Sequence, residues 1–131
     1  MFSDELREFL KKPHIARIST IDSSGYPHTV GIWYAVDGDD LVTTTARDTK
    51  KMAHIQANPK GSFSIGGAPG DGGGWLFKGP FIISEEKAWP WLEQMTYHYE
   101  TAEDAVKLLA EWASLDMVLI RMTPEKIIKF F

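Results

Sequence analysis

Apolar and polar positions change period several times along this chain, and each change marks an element. Residues 3–12 put Leu6, Phe9 and Leu10 on one helical face, with Ser3 placed to cap the helix start. His14 to Ile21 is strand-like, and Asp22-Ser23-Ser24-Gly25 closes it with turn residues. Pro27 to Val36 reads as a second strand and Asp37-Gly38-Asp39-Asp40 as a hairpin turn. Leu41 to Thr45 is a third strand. Thr49 to Ala57 has helical spacing and stops at Asn58-Pro59, because a residue before proline is pushed out of the helical region. Ser62 to Ile65 is a fourth strand, Gly66 to Gly74 a glycine-rich loop, and Trp75 to Ser84 a fifth strand. Helical patterns follow from Glu85 to about Glu100 and from Ala102 to about Ala113. Met117 to Met122 is a sixth strand, and Thr123-Pro124-Glu125 separates it from the apolar end Ile127 to Phe131.

Hairpins in series with few intervening helices predict a mainly β fold, a six-stranded antiparallel sheet or small barrel. A doubly wound parallel sheet needs a helix between most strands, and that alternation is missing. The helices of the Trp89–Trp112 region are expected to pack over one end of the barrel. With 131 residues and no linker or repeat, one domain over residues 1–131 is expected, long enough to bury a core.

Composition narrows the function classes. No run of about 18 apolar residues is present, so no membrane partner is expected. The start, MFSDELREFLKK, is charged and amphipathic and lacks the apolar core of a secretory signal. There is no cysteine, which removes disulfides, thiol catalysis and cysteine-based metal sites. A cytoplasmic location is the expectation. The net charge of -4, with basic residues scattered apart from Lys11-Lys12 and Lys50-Lys51, argues against nucleic acid as the main partner. A small anionic ligand needs only a local cluster, and the acidic total does not oppose one.

The stretch LVTTTARDTKKMAHIQANP, Leu41 to Pro59, holds such a cluster. Three hydroxyls, Thr43, Thr44 and Thr45, end a strand, and Lys50 and Lys51 open a helix. Helix N-termini present unpaired N–H groups and partial positive charge, so this arrangement suits a phosphate. A polar strand end beside a solvated lysine pair also accounts for it, and on composition alone that plainer reading is favoured. The loop GGAPGDGGG has no Gly-Lys-Ser/Thr ending and joins two strands, which makes it a hairpin connection and not a phosphate cradle. The four histidines, His14, His28, His54 and His98, show no i, i+4 pair and no HExxH, so no metal site is expected. His54 follows the lysines on the short helix, where packing is its default role. No Gly-x-Ser-x-Gly is present. Glu85-Glu86 and Asp39-Asp40 fall at a predicted helix start and a turn, places that favour acids for structural reasons. Trp89, Trp91, Tyr97, Tyr99 and Trp112 read as packing residues. In Trp33-Tyr34, neighbours on a strand point to opposite faces; one is expected in the core, the other over a ring or a dimer seam.

The order of these elements resembles the FMN-binding split-barrel family, which includes pyridoxamine 5′-phosphate oxidase and deazaflavin (F420) binders. An N-terminal helix precedes HIARIST. A glycine turn leads to Tyr26-Pro27-His28 and a strand ending in Ile32-Trp33-Tyr34. A tight Asp-Gly turn, the strand into Thr44-Thr45, the basic pair eight residues before Pro59, the strand GSFSI and Lys78-Gly79 in the fifth strand complete the match. The resemblance implies a six-stranded split barrel acting as a homodimer. It implies that Thr45, Lys50 and Lys51, with Thr44 beside them, hold a flavin phosphate. It implies that the end of the second strand, Thr29, Val30, Gly31, Ile32, Trp33 and Tyr34, lines the flavin. Pyridoxamine oxidases carry arginine near the Tyr34 position and often at the first of the basic pair; here the residues are Tyr34 and Lys50. They also carry a C-terminal extension whose arginine and histidine grip the substrate phosphate, with no counterpart before Phe131. The expectation is therefore an FMN-binding oxidoreductase acting on a small substrate, not a vitamin B6 oxidase. F420 in the same fold, or a flavin- or ligand-binding module without turnover, are the alternatives. A flavin carries its own hydride chemistry, which accounts for a chain with no acid–base or nucleophilic constellation.

Overall fold

Ser3 caps the first helix in the computed structural model, which describes residues 1–131: its Oγ accepts the Leu6 N–H at 3.1 Å. The elements run α1 (Asp4–Leu10), β1 (Ala16–Ile21), β2 (Pro27–Ile32), β3 (Ala35–Asp37), β4 (Asp40–Ala46), α2 (Lys50–Ala57), β5 (Lys60–Gly66), β6 (Gly74–Ser84), α3 (Trp89–Tyr99), α4 (Ala102–Trp112), β7 (Met117–Met122) and β8 (Lys126–Lys129). Both predicted turns form. Asp22 Oδ1 accepts the Ser24 and Tyr26 N–H groups at 2.9 Å each, and Gly25 and Gly38 supply the positive φ that the two turns need. Glu85 and Glu86 precede α3 instead of opening it; Pro90 in the first turn starts that helix.

The strands lie in the order β2-β1-β5-β6-β7-β4-β3, all neighbours antiparallel, with β8 on the other edge of β6. β6 joins the two halves. Gly74–Pro80 pair with β5, while Phe81–Ser84 pair with β7. The end strands β2 and β3 share no ladder, and only Trp33-Tyr34 connect them, so the sheet curls into a barrel that stays split. There are eight strands, not the six expected. The Pro27–Val36 segment breaks at Trp33-Tyr34, and the apolar end pairs with β6 as β8.

Ile18, Phe63, Ile65, Phe77 and Ile120 fill the barrel, closed by Leu6 and Leu10 from α1 and Met52 and Ile55 from α2. A second cluster, Ala35, Val42, Ala88, Met95 and Leu119, lies where α3 covers the outside of β4 and β7. β4 is thus buried on both faces, which is why Leu41–Thr45 does not alternate apolar with polar.

Arg121, on β7, ties β3, β4 and the end of β6 together at the surface. Its Nη1 lies 2.9 Å from Asp37 and from Asp40, and its Nη2 2.7 Å from Glu86. Removing it leaves three carboxylates facing one another, two of them half in water. Arg121→Ala is expected to lower stability by about 2 kcal/mol, less than for a fully buried network because solvent screens the rim. Urea unfolding measures this, and a loss below about 0.5 kcal/mol would place the network in the ordinary surface range.

Candidate functional site

The hydroxyl-rich end of β4 meets the start of α2. Thr43 Oγ1 donates to the Trp33 carbonyl at 2.6 Å and so clamps the β2–β3 junction onto β4. Thr49 occupies the N-cap position of α2, but its hydroxyl donates to the Ala46 carbonyl at 3.0 Å and lies 3.3 Å from Thr45 Oγ1. No side chain caps the helix, and its first N–H groups stay free for an anion. Lys51, one residue into that helix, is half-buried and has neither an ion-pair nor a hydrogen-bond partner; burial pushes its ammonium below the ordinary lysine value. A partly desolvated cation, free N–H groups and threonine hydroxyls all lie at this corner, each of a kind that attracts negative charge.

A cleft of about 450 Å³ opens from this corner. Ile15, Gly31, Ile32 and Trp33 form one wall, Thr43–Ala46 and Met117 the floor, and Leu92, Trp112 and Leu115 the far side, with Lys51 at its polar end. Trp33 stacks on Tyr99 with ring centroids 5.1 Å apart at 11°, and meets the edge of Trp112 at 6.0 Å. Tyr99 is fixed by its hydroxyl, which donates to the His14 carbonyl at 2.5 Å; burial pushes its phenol up to about 12.

The structure brings Gly31, Ile32, Trp33, Thr44, Thr45 and Lys51 to this cleft, out of the residues the family resemblance indicates. It does not bring the other four. Val30 points inward against the core, and Thr29 lies on the outer sheet face, 2.8 Å from Ser19 Oγ. Tyr34 is buried on the opposite side, its hydroxyl donating to the Leu10 and Lys12 carbonyls at 2.9 and 3.0 Å. Lys50 is exposed, about 100° round the helix from Lys51. Trp33 and Tyr34 thus divide as strand neighbours do, the tyrosine to the core and the tryptophan to the cleft. Ile15, Leu92, Trp112, Leu115 and Met117 carry no motif. Met117 is set opposite Ala46 by the β4–β7 register, and Trp112 and Leu92 arrive through the α3–α4 packing.

Other polar features have structural roles. The glycine loop joins β5 to β6, and its glycines seat aromatic rings: a Cβ on Gly66 would come within 2.5 Å of Phe9, and one on Gly74 within 2.7 Å of Phe130. His54 packs against β1 and β2, with Nδ1 2.9 Å from Thr20 Oγ1 and its ring edge-on to His28. A larger cleft, about 560 Å³, lies on the Tyr34 side between α1 and α3. Its lysine and arginine are already paired, Arg7 with Asp39 and Lys11 with Glu8, so it offers no free cation of that kind.

The family model for pyridoxamine 5′-phosphate oxidase matches residues 2–130. The chain belongs to the pyridoxamine 5′-phosphate oxidase family. No curated protein matches it significantly. Solved structures share the fold of this family. An F420 reductase superposes with a TM-score of 0.75 at 20% identity, covering 97% of this chain and 98% of that one. General Stress Protein 26 from Bacillus anthracis gives 0.72 at 18%, covering 97% and 92%. HupZ from Group A Streptococcus gives 0.69 at 17%, covering 99% and 94%. At these identities the likeness concerns the oxidase-family fold alone.

Proposed function

We propose that this chain is a homodimeric FMN-binding oxidoreductase acting on a small organic substrate. The observation that carries the reading is Lys51: a half-buried cation with no partner, beside an uncapped helix start and the Thr44-Thr45 strand end. These residues fit a flavin phosphate, which supplies the anion that the cation and the free N–H groups lack. Bound there, FMN supplies hydride transfer. The chain's own part is to hold the phosphate through Lys51, Thr45 and the first turn of α2, and to wall the ring region with Trp33, kept rigid by Tyr99. The cleft lining contains no carboxylate or histidine that would act as an acid or base, in keeping with chemistry carried by a cofactor.

The absorption spectrum of the purified protein tests the reading, together with titration of the apo form with FMN. Oxidised-flavin bands and saturable FMN binding are expected. A single deazaflavin band would assign F420 in the same cleft, and no binding of either would leave a module without a flavin.

The homodimer is a second expected outcome. In a barrel whose cleft is open on one side, a partner subunit completes the cofactor's enclosure, and the interface should bury roughly 2,000 Å² or more in total. Light scattering is expected to give twice the 14.8 kDa chain mass at micromolar concentration with cofactor bound. A monomer mass there would overturn this part.

A further inference from the structure

Of the four arginines, three are neutralised within the chain: Arg7 by Asp39, Arg47 by Asp116, and Arg121 by Asp37, Asp40 and Glu86. The fourth, Arg17 on β1, is exposed and makes no ion pair. Its neighbours on the outer sheet face are all uncharged. Gly31 lies opposite it on β2 and Ser64 on β5, Ser19 and Thr29 pair next along the ladder, and Ile15 stands two residues before it. From this face the guanidinium reaches the rim of the Lys51 cleft. A Cβ on Gly31 would lie 3.8 Å from Arg17 Nη1 and 3.4 Å from Ile15 Cγ2, and Gly31 and Ile15 both line the cleft. Gly31 has no left-handed φ, so its backbone does not require glycine. What the missing side chain leaves is an open cleft edge beside the guanidinium. In a chain of net charge -4 the overall field repels anions, so capture of one depends on a local cation that no carboxylate of the chain has taken.

We propose that Arg17 is a specificity-determining residue of this site, holding the carboxylate of an anionic organic substrate at the open rim of the cleft. This rests on the reading that Lys51 and the start of α2 hold the cofactor phosphate, which leaves Arg17 as the unpaired cation beside the cleft for the substrate. The planar guanidinium presents paired N–H donors that match a carboxylate in two parallel hydrogen bonds, and it stays charged at any working pH. One cation with no helix start beside it suits a singly charged group better than a phosphate dianion. Ile15, Ile32 and Trp33, on the same wall, are mostly apolar and suit the carbon body of such a substrate.

The test compares two probes of nearly the same shape, anionic 2-naphthoate and neutral 2-naphthamide, by calorimetric titration of FMN-saturated protein. Naphthoate is expected to bind about fivefold more tightly or better, the upper end of what a partly solvated ion pair gives. Arg17→Gln should bring the two probes to parity while keeping the melting temperature and FMN affinity of the parent. Arg17→Lys, which keeps the charge and loses the fork, should keep part of the preference. A preference that survives in Arg17→Gln, equal binding of both probes by the parent, or no binding of naphthoate would overturn the proposal. So would loss of FMN binding in Arg17→Gln, which would make the arginine a cofactor ligand, or a change from dimer to monomer in that variant, which would place it in the subunit seam. The same titrations on apo Lys51→Ala, which removes the other cation of the cleft, separate the two ideas. If the parent takes no FMN but this variant prefers naphthoate, and loses the preference in the double variant with Arg17→Gln, the cofactor reading fails and the Arg17 site stands. If FMN binds and the parent shows no preference, the Arg17 site fails alone.

Discussion

Lys51→Ala will lower affinity for FMN roughly ten- to a hundredfold, since a charge-assisted hydrogen bond to an anion is worth about 1.5–3 kcal/mol and each 1.4 kcal/mol is a factor of about ten. The fold should survive. Lys51 makes no ion pair or hydrogen bond within the chain, and its burial disfavours the charged form, so the free protein loses nothing it was using. The sign follows from the depressed value. The folded state binds the Lys51 proton less tightly than the unfolded state does, so charging this lysine costs stability at neutral pH. That cost fades as pH rises from the depressed value to the ordinary lysine value, and is gone above it, where the side chain is neutral in both states. Apo Lys51→Ala should therefore melt no lower than the parent at pH 7, while losing the ligand. Lys50→Ala, at an exposed position one residue away, should cost much less affinity. Fluorescence titration with FMN and thermal melts of the apo proteins measure both effects. Parent-like FMN binding by Lys51→Ala would remove the anchoring role from this lysine.

The largest effect on stability is expected at Gly61 in β5. A Cβ there would lie 2.1 Å from Phe81 Cε2 and 2.4 Å from the Ser19 carbonyl oxygen. Phe81 is a core residue held against Phe63 in an edge-to-face pair, and Ser19 belongs to the β1–β5 ladder. Neither can withdraw without opening the barrel. Overpacking a core usually costs about 1–3 kcal/mol, and a clash with strand backbone belongs at or above the top of that range. Gly61→Ala should lower the Tm by about 10 °C, taking roughly 3 kcal/mol at a few degrees per kcal/mol for a chain of this size. Gly31→Ala is the comparison. Its added methyl would meet Ile15 at 3.4 Å, an ordinary contact at the cleft wall, so the melting temperature should barely move. If both variants unfold within 2 °C of the parent, the close approach of β5 to Phe81 and β1 is not rigid.

Local chemistry made a good part of this protein legible before any coordinates. Ser3, Asp22 with Gly25, Gly38, and Asn58-Pro59 act within a turn of chain, so they place α1, two hairpins and the end of α2 whatever surrounds them. The hydroxyl-to-lysine spacing from Thr43 to Lys51 is equally short-range, and its helix start and strand end form as expected. Whether it was an anion site or a solvated pair was not legible, because that depends on what lies near Lys51. Only the tertiary structure shows it half-buried, without a partner and facing a cleft.

The same division runs through the misread elements. Pro27–Val36 reads as one strand because its propensities are uniform, but Thr43 pulls on the Trp33 carbonyl across the sheet and Tyr34 anchors to the end of α1. Those long-range bonds break the strand and decide that, of two neighbours already bound for opposite sides, the tyrosine is the one that enters the core. Ile127–Lys129 has strand residues but no partner until β6 offers its free edge. Trp112 reads as packing from its spacing, and it does pack, yet the α3–α4 arrangement also sets it over the cleft. Sequence periodicity and capping determined which segments become helices and strands and where the anion motif lies. The pairing of β6 with three partners, the side on which each aromatic emerges and the desolvation of Lys51 were decided by tertiary contacts. These depend on residues tens of positions apart, which no local pattern encodes.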